Sequence, residues 1–354
     1  MSTADVLDEA RAIAILERGL ALPASRSISV GIGDDAAVLE LARGSYVWSV
    51  DSNVEGVHFD LAWLSLEHAA ARAYSAALSD LAAMGAMPVA ALCALSVPRG
   101  VSRAQLAAVA RGQRRIASLH ACPLIGGNLC RAERFEFHTT VLGRAARPRL
   151  RSGATPGDEV WLAAPVGLAA MGLELLQRKA AGEADNVPKS TMAHCVRAWR
   201  EPLAQIERGL ELGNRATSLI DISDGLASEA RHLAKASGVR LVLSERALRA
   251  NLAEPLVRAA RALHKDPLDY CLQGGEDYVL CATGRRSRRP SWALTIGRVE
   301  SGAGAWLETE DGEQLALQGG FDHLTSGPKT AAVRPRATNS PRGRANGQRP
   351  RVAR

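Results

Sequence analysis

Hydrophobic positions along the chain switch repeatedly between a period near 3.6 and a period of 2, the signatures of helices and of strands. Val6, Leu7, Ile13, Ile15, Leu16 and Leu20 share one face of a helix predicted over residues 4–20, with Asp5 near its start. Short apolar runs predict strands at 27–30 and 45–50, and the polar stretch 51–59 reads as a loop. An Ala-rich helix over 66–85 is ended by Gly85 and Pro88. Next come a strand at 89–97, a basic amphipathic helix at 103–120, a strand at 123–128 closing on a glycine turn, and a strand at 135–144. The second half restarts with a strand at 159–163, a helix at 168–181, a loose polar stretch at 182–190 and one helical pattern over 191–213. It continues with a strand at 217–222, a helix at 226–237, a strand at 239–243, a helix near 254–264, and strands at 278–283 and 294–299. Strands and helices alternating in both halves predict an α/β (α+β) protein.

A length of 354 residues exceeds one typical core, and the Pro- and Gly-bearing stretch 145–157 is the natural boundary. It separates an N-terminal domain, 1–145, from a C-terminal α/β domain, 146–325, and leaves 326–354 as a tail. Hydrophobic residues make up 47% but aromatics only 4%, so the core is built mainly from Ala, Leu and Val, with few stacking platforms for single-stranded nucleic acid. The net charge of +7 belongs to the tail: from Lys329 onward there are one Lys, seven Arg and no acid, leaving −1 for the rest. That tail lacks any apolar period and reads as disordered, either a non-folding extension or an electrostatic arm; nothing else in the chain supports a nucleic-acid partner. The six cysteines show neither a C-x-x-C pair nor zinc spacing and read as buried thiols of a reducing cytosol. Neither a secretory signal nor a membrane span is predicted, which places the chain in the cytoplasm.

Candidate chemistry starts at residues 31–37, Gly-Ile-Gly-Asp-Asp-Ala-Ala, where a strand delivers Asp34 and Asp35 into a glycine-bracketed turn. Such a turn is either an acidic surface loop or a cation site. Recurrence of acids beside Gly or Ser at Asp51, Asp80, Asp221 and Asp224 favours the cation. No P-loop, protein-kinase motif set or Gly-x-Ser-x-Gly elbow occurs. A polyphosphate would then be held through metal, and several carboxylates in one cleft suit Mg²⁺. His58 is either structural or placed to meet a substrate phosphate, and Arg151, beside the boundary, could clamp a nucleotide phosphate.

These motifs carry a specific resemblance. Residues 31–37, 51–59 (DSNVEGVHF), 78–86 (LSDLAAMGA), 151–158 (RSGATPGD), 221–226 (DISDGL) and 274–278 (GGEDY) resemble, in order, those of the thiamine-monophosphate kinase family, over about residues 13–324. The resemblance implies the two-domain aminoimidazole ribonucleotide synthetase-like fold, an N-terminal mixed sheet that forms a homodimer, and ATP-dependent phosphorylation of thiamine monophosphate by direct in-line transfer. It also implies Mg²⁺ on Asp34, Ser49, the Val50 carbonyl, Asp51, Asp80, Asp221 and Asp224. ATP would meet Gly127, Asn128, Arg151 and Ser223; thiamine monophosphate would meet His58, Glu276 and Phe321. Three departures stand out. The family's Gly-Gly-Asp-Thr is Gly126-Gly-Asn-Leu129 here, its Thr-Thr-Asp is Ser49-Val-Asp51, and the Asn before Leu-Ser-Asp is Ala77. Asn128 offers a neutral oxygen in place of a carboxylate, which leaves an alternative: an impaired or divergent member acting on another metabolite or as a nucleotide-binding regulator.

Overall fold

The computed structural model describes residues 9–20, 28–30, 32, 38–183 and 186–319. Its first half runs α1 (Glu9–Leu20), β1 (Ile28–Val30), β2 (Val38–Leu39), β3 (Ser45–Val54), α2 (Leu66–Ala83), β4 (Met87–Pro98), α3 (Arg103–Leu119), β5 (Leu124–Ala132) and β6 (Glu136–Ala145). Four of these strands form a sheet in the order β3-β6-β4-β5. The β4–β5 pair is parallel, and α3 supplies the crossover that parallel neighbours require. Helix α2 packs on this sheet against β3, β6 and β4, with α3 beside it. Ser65 caps the start of α2 by accepting the His68 backbone N–H, and a Ser102–Gln105 capping box opens α3.

The second half runs β7 (Glu159–Leu162), α4 (Leu168–Ala180), α5 (Lys189–Arg200), α6 (Ile206–Arg215), β8 (Ser218–Asp221), α7 (Leu226–Ser237), β9 (Arg240–Ser244) and α8 (Glu245–Ala250). It closes with α9 (Glu254–Ala262), α10 (Pro267–Gln273), β10 (Leu280–Gly284), β11 (Leu294–Glu300), β12 (Gly304–Glu308) and β13 (Gln314–Ala316). Seven strands form a mixed sheet in the order β13-β12-β9-β11-β7-β10-β8.

Several elements differ from the sequence-based expectation. Residues 51–54 extend β3 instead of forming a loop, because β3 pairs with β6 from Ser45 opposite Ala145 to Val54 opposite Glu136. Gly126 and Gly127 lie inside β5, in parallel register with Leu92 and Cys93, not at a turn. The single helical pattern at 191–213 is two helices, α5 and α6, because Pro202 cannot continue the ladder. Cys130 is exposed, while the other five cysteines are buried and all six are free thiols.

The two halves meet along α2 and α6. Gly209 and Gly213, one turn apart on α6, face the end of α2: a Cβ on Gly209 would lie 2.4 Å from the Ala82 carbonyl oxygen, and one on Gly213 would lie 3.1 Å from Gly85 Cα. Arg149 fastens the junction, its backbone N–H donating to Met84 O (2.9 Å) and its Nη2 to Gly213 O (2.6 Å). Ala normally exceeds Gly in a helix by about 1 kcal/mol. At Gly209 that gain is outweighed by overpacking of about 1–3 kcal/mol. Gly209→Ala therefore lowers the thermal midpoint, and Gly213→Ala lowers it less; differential scanning calorimetry of both variants checks the order.

Candidate active site

Period-2 alternation along β3 turns Val47, Ser49, Asp51 and Asn53 toward α2, and Trp48, Val50 and Ser52 to the other face. On the α2 side, Ser49 Oγ donates to Asp80 Oδ2 at 2.5 Å. One residue earlier on the same helix, Ser79 Oγ donates to Asp221 Oδ2 at 2.6 Å, where β8 ends. The last turn of α2 thus bridges the first sheet and the second. Ser49, Asp80, Arg151, Ser152 and Asp221 line a cleft of about 550 Å³ at this junction.

Electrostatics in the cleft are strained. Burial raises the Asp80 carboxyl above its ordinary value, opposed by the Ser49 hydrogen bond and the Arg151 charge. Burial, and then the charge of Asp80, push Asp221 up to about 6, with Ser79 and Arg151 pulling down. Two such carboxylates sharing one pocket, with a single guanidinium at its exposed edge, have the donor chemistry for a hard divalent cation. Among the described residues, however, no group of three His, Cys, Asp or Glu side chains is close enough to hold a metal.

After Asp221 the chain forms the loop 221–225, which zips to the loop 274–278. Glu276 N–H donates to Ser223 O and Tyr278 N–H to Ile222 O, both at 2.9 Å. A Cβ on Gly275 would fall 2.3 Å from Ser223 O, so only glycine permits this approach. Glu276 (φ 68°) and Tyr278 (φ 50°) sit in the left-handed region, which costs a non-glycine residue about 1–3 kcal/mol and recurs at functional sites. Glu229 Oε1 accepts the Asp224 N–H at 3.2 Å, and burial pushes its carboxyl up to about 8. Asp277 accepts the Gly167 and Ala169 N–H groups at the start of α4, at 2.6 and 3.1 Å.

Of the expected site residues, Ser49, Asp80, Arg151 and Asp221 come together in the cleft, with Ser223 and Asp224 half-buried in the loop that follows. Asp51 lies two residues beyond Ser49 on the same strand face; its carboxylate accepts the Ser52 N–H and Asn53 Nδ2–H. Val50 turns its side chain away from α2 and is 63% exposed. His58 Nδ1 accepts the Val54 N–H at 3.1 Å. Gly127 and Asn128 are exposed and line a different cavity, a groove of about 1210 Å³ on the opposite sheet face, shared with Ile13, Leu16, Leu92 and Leu142. The Glu276 carboxylate is buried against Arg72 and Trp199. Asp34 and Phe321 lie outside the described residues. Sequence reasoning missed Arg72, Ser79 and Glu229. Ser79 stands beside Asp80 in the quoted LSDLAAM stretch, and that adjacency was the available signal.

Because Asp221 has a raised value in the folded protein, its contribution to stability is fully present below its ordinary value of 3.8 and is lost as pH rises through about 6. In chelator, the thermal midpoint therefore falls between pH 4 and 7, and Asp221→Asn falls less over the same range. Scanning calorimetry at a series of pH values checks the difference, expected to be roughly 2–4 °C for each kcal/mol.

Residues 33–145 match the family described as AIR synthase related protein, N-terminal domain. A thiamine-monophosphate kinase of Aquifex aeolicus is 33% identical over 291 residues, 81% of this chain and 91% of that one. One from Bacillus subtilis is 35% identical over 262 residues, 73% and 78% of the two chains. The solved chain AaThiL, complexed with AMPPCP and TMP, superposes with a TM-score of 0.73 at 29% identity, covering 89% of this chain and 96% of that one. Two α/β halves built on separate sheets, with the cleft between them, are the AIR synthase-like fold. On its sequence and its fold, the chain belongs to the thiamine-monophosphate kinase family.

Proposed function

We propose that the chain is an ATP-dependent thiamine-monophosphate kinase, transferring the γ-phosphoryl group of ATP directly to thiamine monophosphate to give thiamine diphosphate. The observation that carries the reading is the cleft itself, where Ser49 and Asp80 from the first half meet Arg151 and Asp221 at the second. In-line transfer needs positioning and charge neutralisation more than covalent chemistry, and these groups offer both. Asp34, Ser49, the Val50 carbonyl, Asp51, Asp80, Asp221 and Asp224 are the residues that would hold Mg²⁺, which supplies the positive charge that draws a polyphosphate into an acidic pocket. β3 is an edge strand, so alternate carbonyls along it point away from β6, as a backbone ligand at Val50 requires.

Gly127, Asn128, Arg151 and Ser223 are assigned to ATP. His58, Glu276 and Phe321 are assigned to thiamine monophosphate. Residues 1–145 would bind ATP and dimerise, and 146–325 would complete the cleft. The open face of the first sheet supports the homodimer: Trp48 (73% exposed), Val50, Met87 and Leu92 lie bare on or beside it, an apolar surface that a second copy would cover. No helix among the described residues is long and apolar enough to cross a membrane, and we place the reaction in the cytosol.

A coupled assay of ADP release tests the reading. ATP turnover that rises with thiamine monophosphate and needs Mg²⁺ is expected; turnover indifferent to thiamine monophosphate at millimolar concentration contradicts it.

A further inference from the structure

The α2 helix is Ala-rich, yet its buried face carries Arg72, Ser75 and Ser79, and each of the three is bonded to the second half of the chain. Arg72 is the most committed. It is 1% exposed, its Nη2 lies 2.7 Å from Glu276 Oε1, its Nη1 donates to the Trp199 carbonyl, and its guanidinium sits 4.9 Å from the centre of the Trp199 ring. The other Glu276 oxygen accepts Trp199 Nε1–H at 2.8 Å. Both oxygens of Glu276 are therefore held by groups that also hold one another. Glu276 is itself hydrogen-bonded through its backbone N–H to Ser223, between the acids Asp221 and Asp224. One helix thus grips the Asp221–Gly225 region twice: directly through Ser79, and through Arg72 and Glu276 two turns earlier.

We infer that Arg72 is a positioning residue for the substrate side of the site, setting the Glu276 carboxylate and its left-handed loop against α2 while touching no substrate itself. The inference rests on the kinase reading above and deepens it. An arginine suits the task because its planar fork spans a carboxylate and a carbonyl at once, and the indole face beneath shields the pair from water. A purely structural ion pair would affect folding alone; a positioning pair also affects how substrate is held.

Steady-state kinetics of the full chain separate the two. Arg72→Met is expected to raise KM for thiamine monophosphate at least tenfold and KM for ATP by a smaller factor, because Glu276 also holds the Ser223 backbone on the ATP side. Arg72→Lys keeps the charge opposite Glu276 and is expected to return KM to within about threefold of the parent. Ser75→Ala removes the acceptor for the Ala204 N–H on the same stripe and is expected to lower the thermal midpoint with KM unchanged. If Arg72→Met does not fold, Arg72→Lys combined with Glu276→Gln decides: a KM equal to that of Glu276→Gln alone supports action through Glu276, and an additional rise contradicts it. Parent-like KM in Arg72→Met, or equal rises for both substrates, overturns the inference while leaving the kinase reading intact. A parent protein with no thiamine-monophosphate-dependent turnover overturns that reading and this inference with it.

Discussion

A buried polar stripe on one helix fixes how the two halves of this protein sit together. Apolar faces tolerate sliding, but a buried guanidinium, two hydroxyls and the carboxylates they meet find their partners in one register only. Arg72 against Glu276, Ser75 against Ala204 and Ser79 against Asp221 set that register over two turns of α2. The glycines of α6 let the backbones close to contact distance at the end of the same helix. Asp80 follows Ser79, so the geometry of the cleft is inherited from the docking of the halves.

The cleft carries an electrostatic cost that the rest of the fold offsets. Asp80 and Asp221 are drawn out of water toward each other, and both are raised above their ordinary values, chiefly by burial. Hydroxyl donors from Ser49 and Ser79 and the charge of Arg151 at the cleft's exposed edge stabilise the charged forms only in part. A site held in this state gains more from a divalent cation and its phosphate ligand than a relaxed one would. Strained backbone at Glu276 and Tyr278 belongs to the same arrangement, since the loop closes on Ser223 and Ile222 only with those residues in the left-handed region.

Much of this was legible in the sequence. Strand and helix periods located most elements, and the acids beside Gly and Ser pointed to Asp80 and Asp221 before any geometry was at hand. Three things were hidden for physical reasons. β3 looked like a loop beyond Val50 because an edge strand with one functional face carries polar residues that propensity assigns to turns. The break between α5 and α6 was masked by apolar residues that keep their period on either side of Pro202. Arg72 carried no signal, because its partners Glu276 and Trp199 lie more than a hundred residues away and no local pattern records them. Asn128 presents the reverse case: it was singled out by motif, yet its side chain lines the open sheet face, apart from the cleft of Asp80 and Asp221. A second copy covering that face would bring new walls to the groove.

The cleft where α2 meets β8 is the proposed centre of phosphoryl transfer. Crystals grown with Mn²⁺ in place of Mg²⁺, a non-hydrolysable ATP analogue and thiamine monophosphate test it through the anomalous signal of the metal. Peaks within about 2.0–2.3 Å of carboxylate oxygens of both Asp80 and Asp221, bridging to phosphate, are the predicted result. Metal confined to the Asn128 face of the sheet, or nucleotide bound with Asp80 and Asp221 bare of metal, would contradict the account.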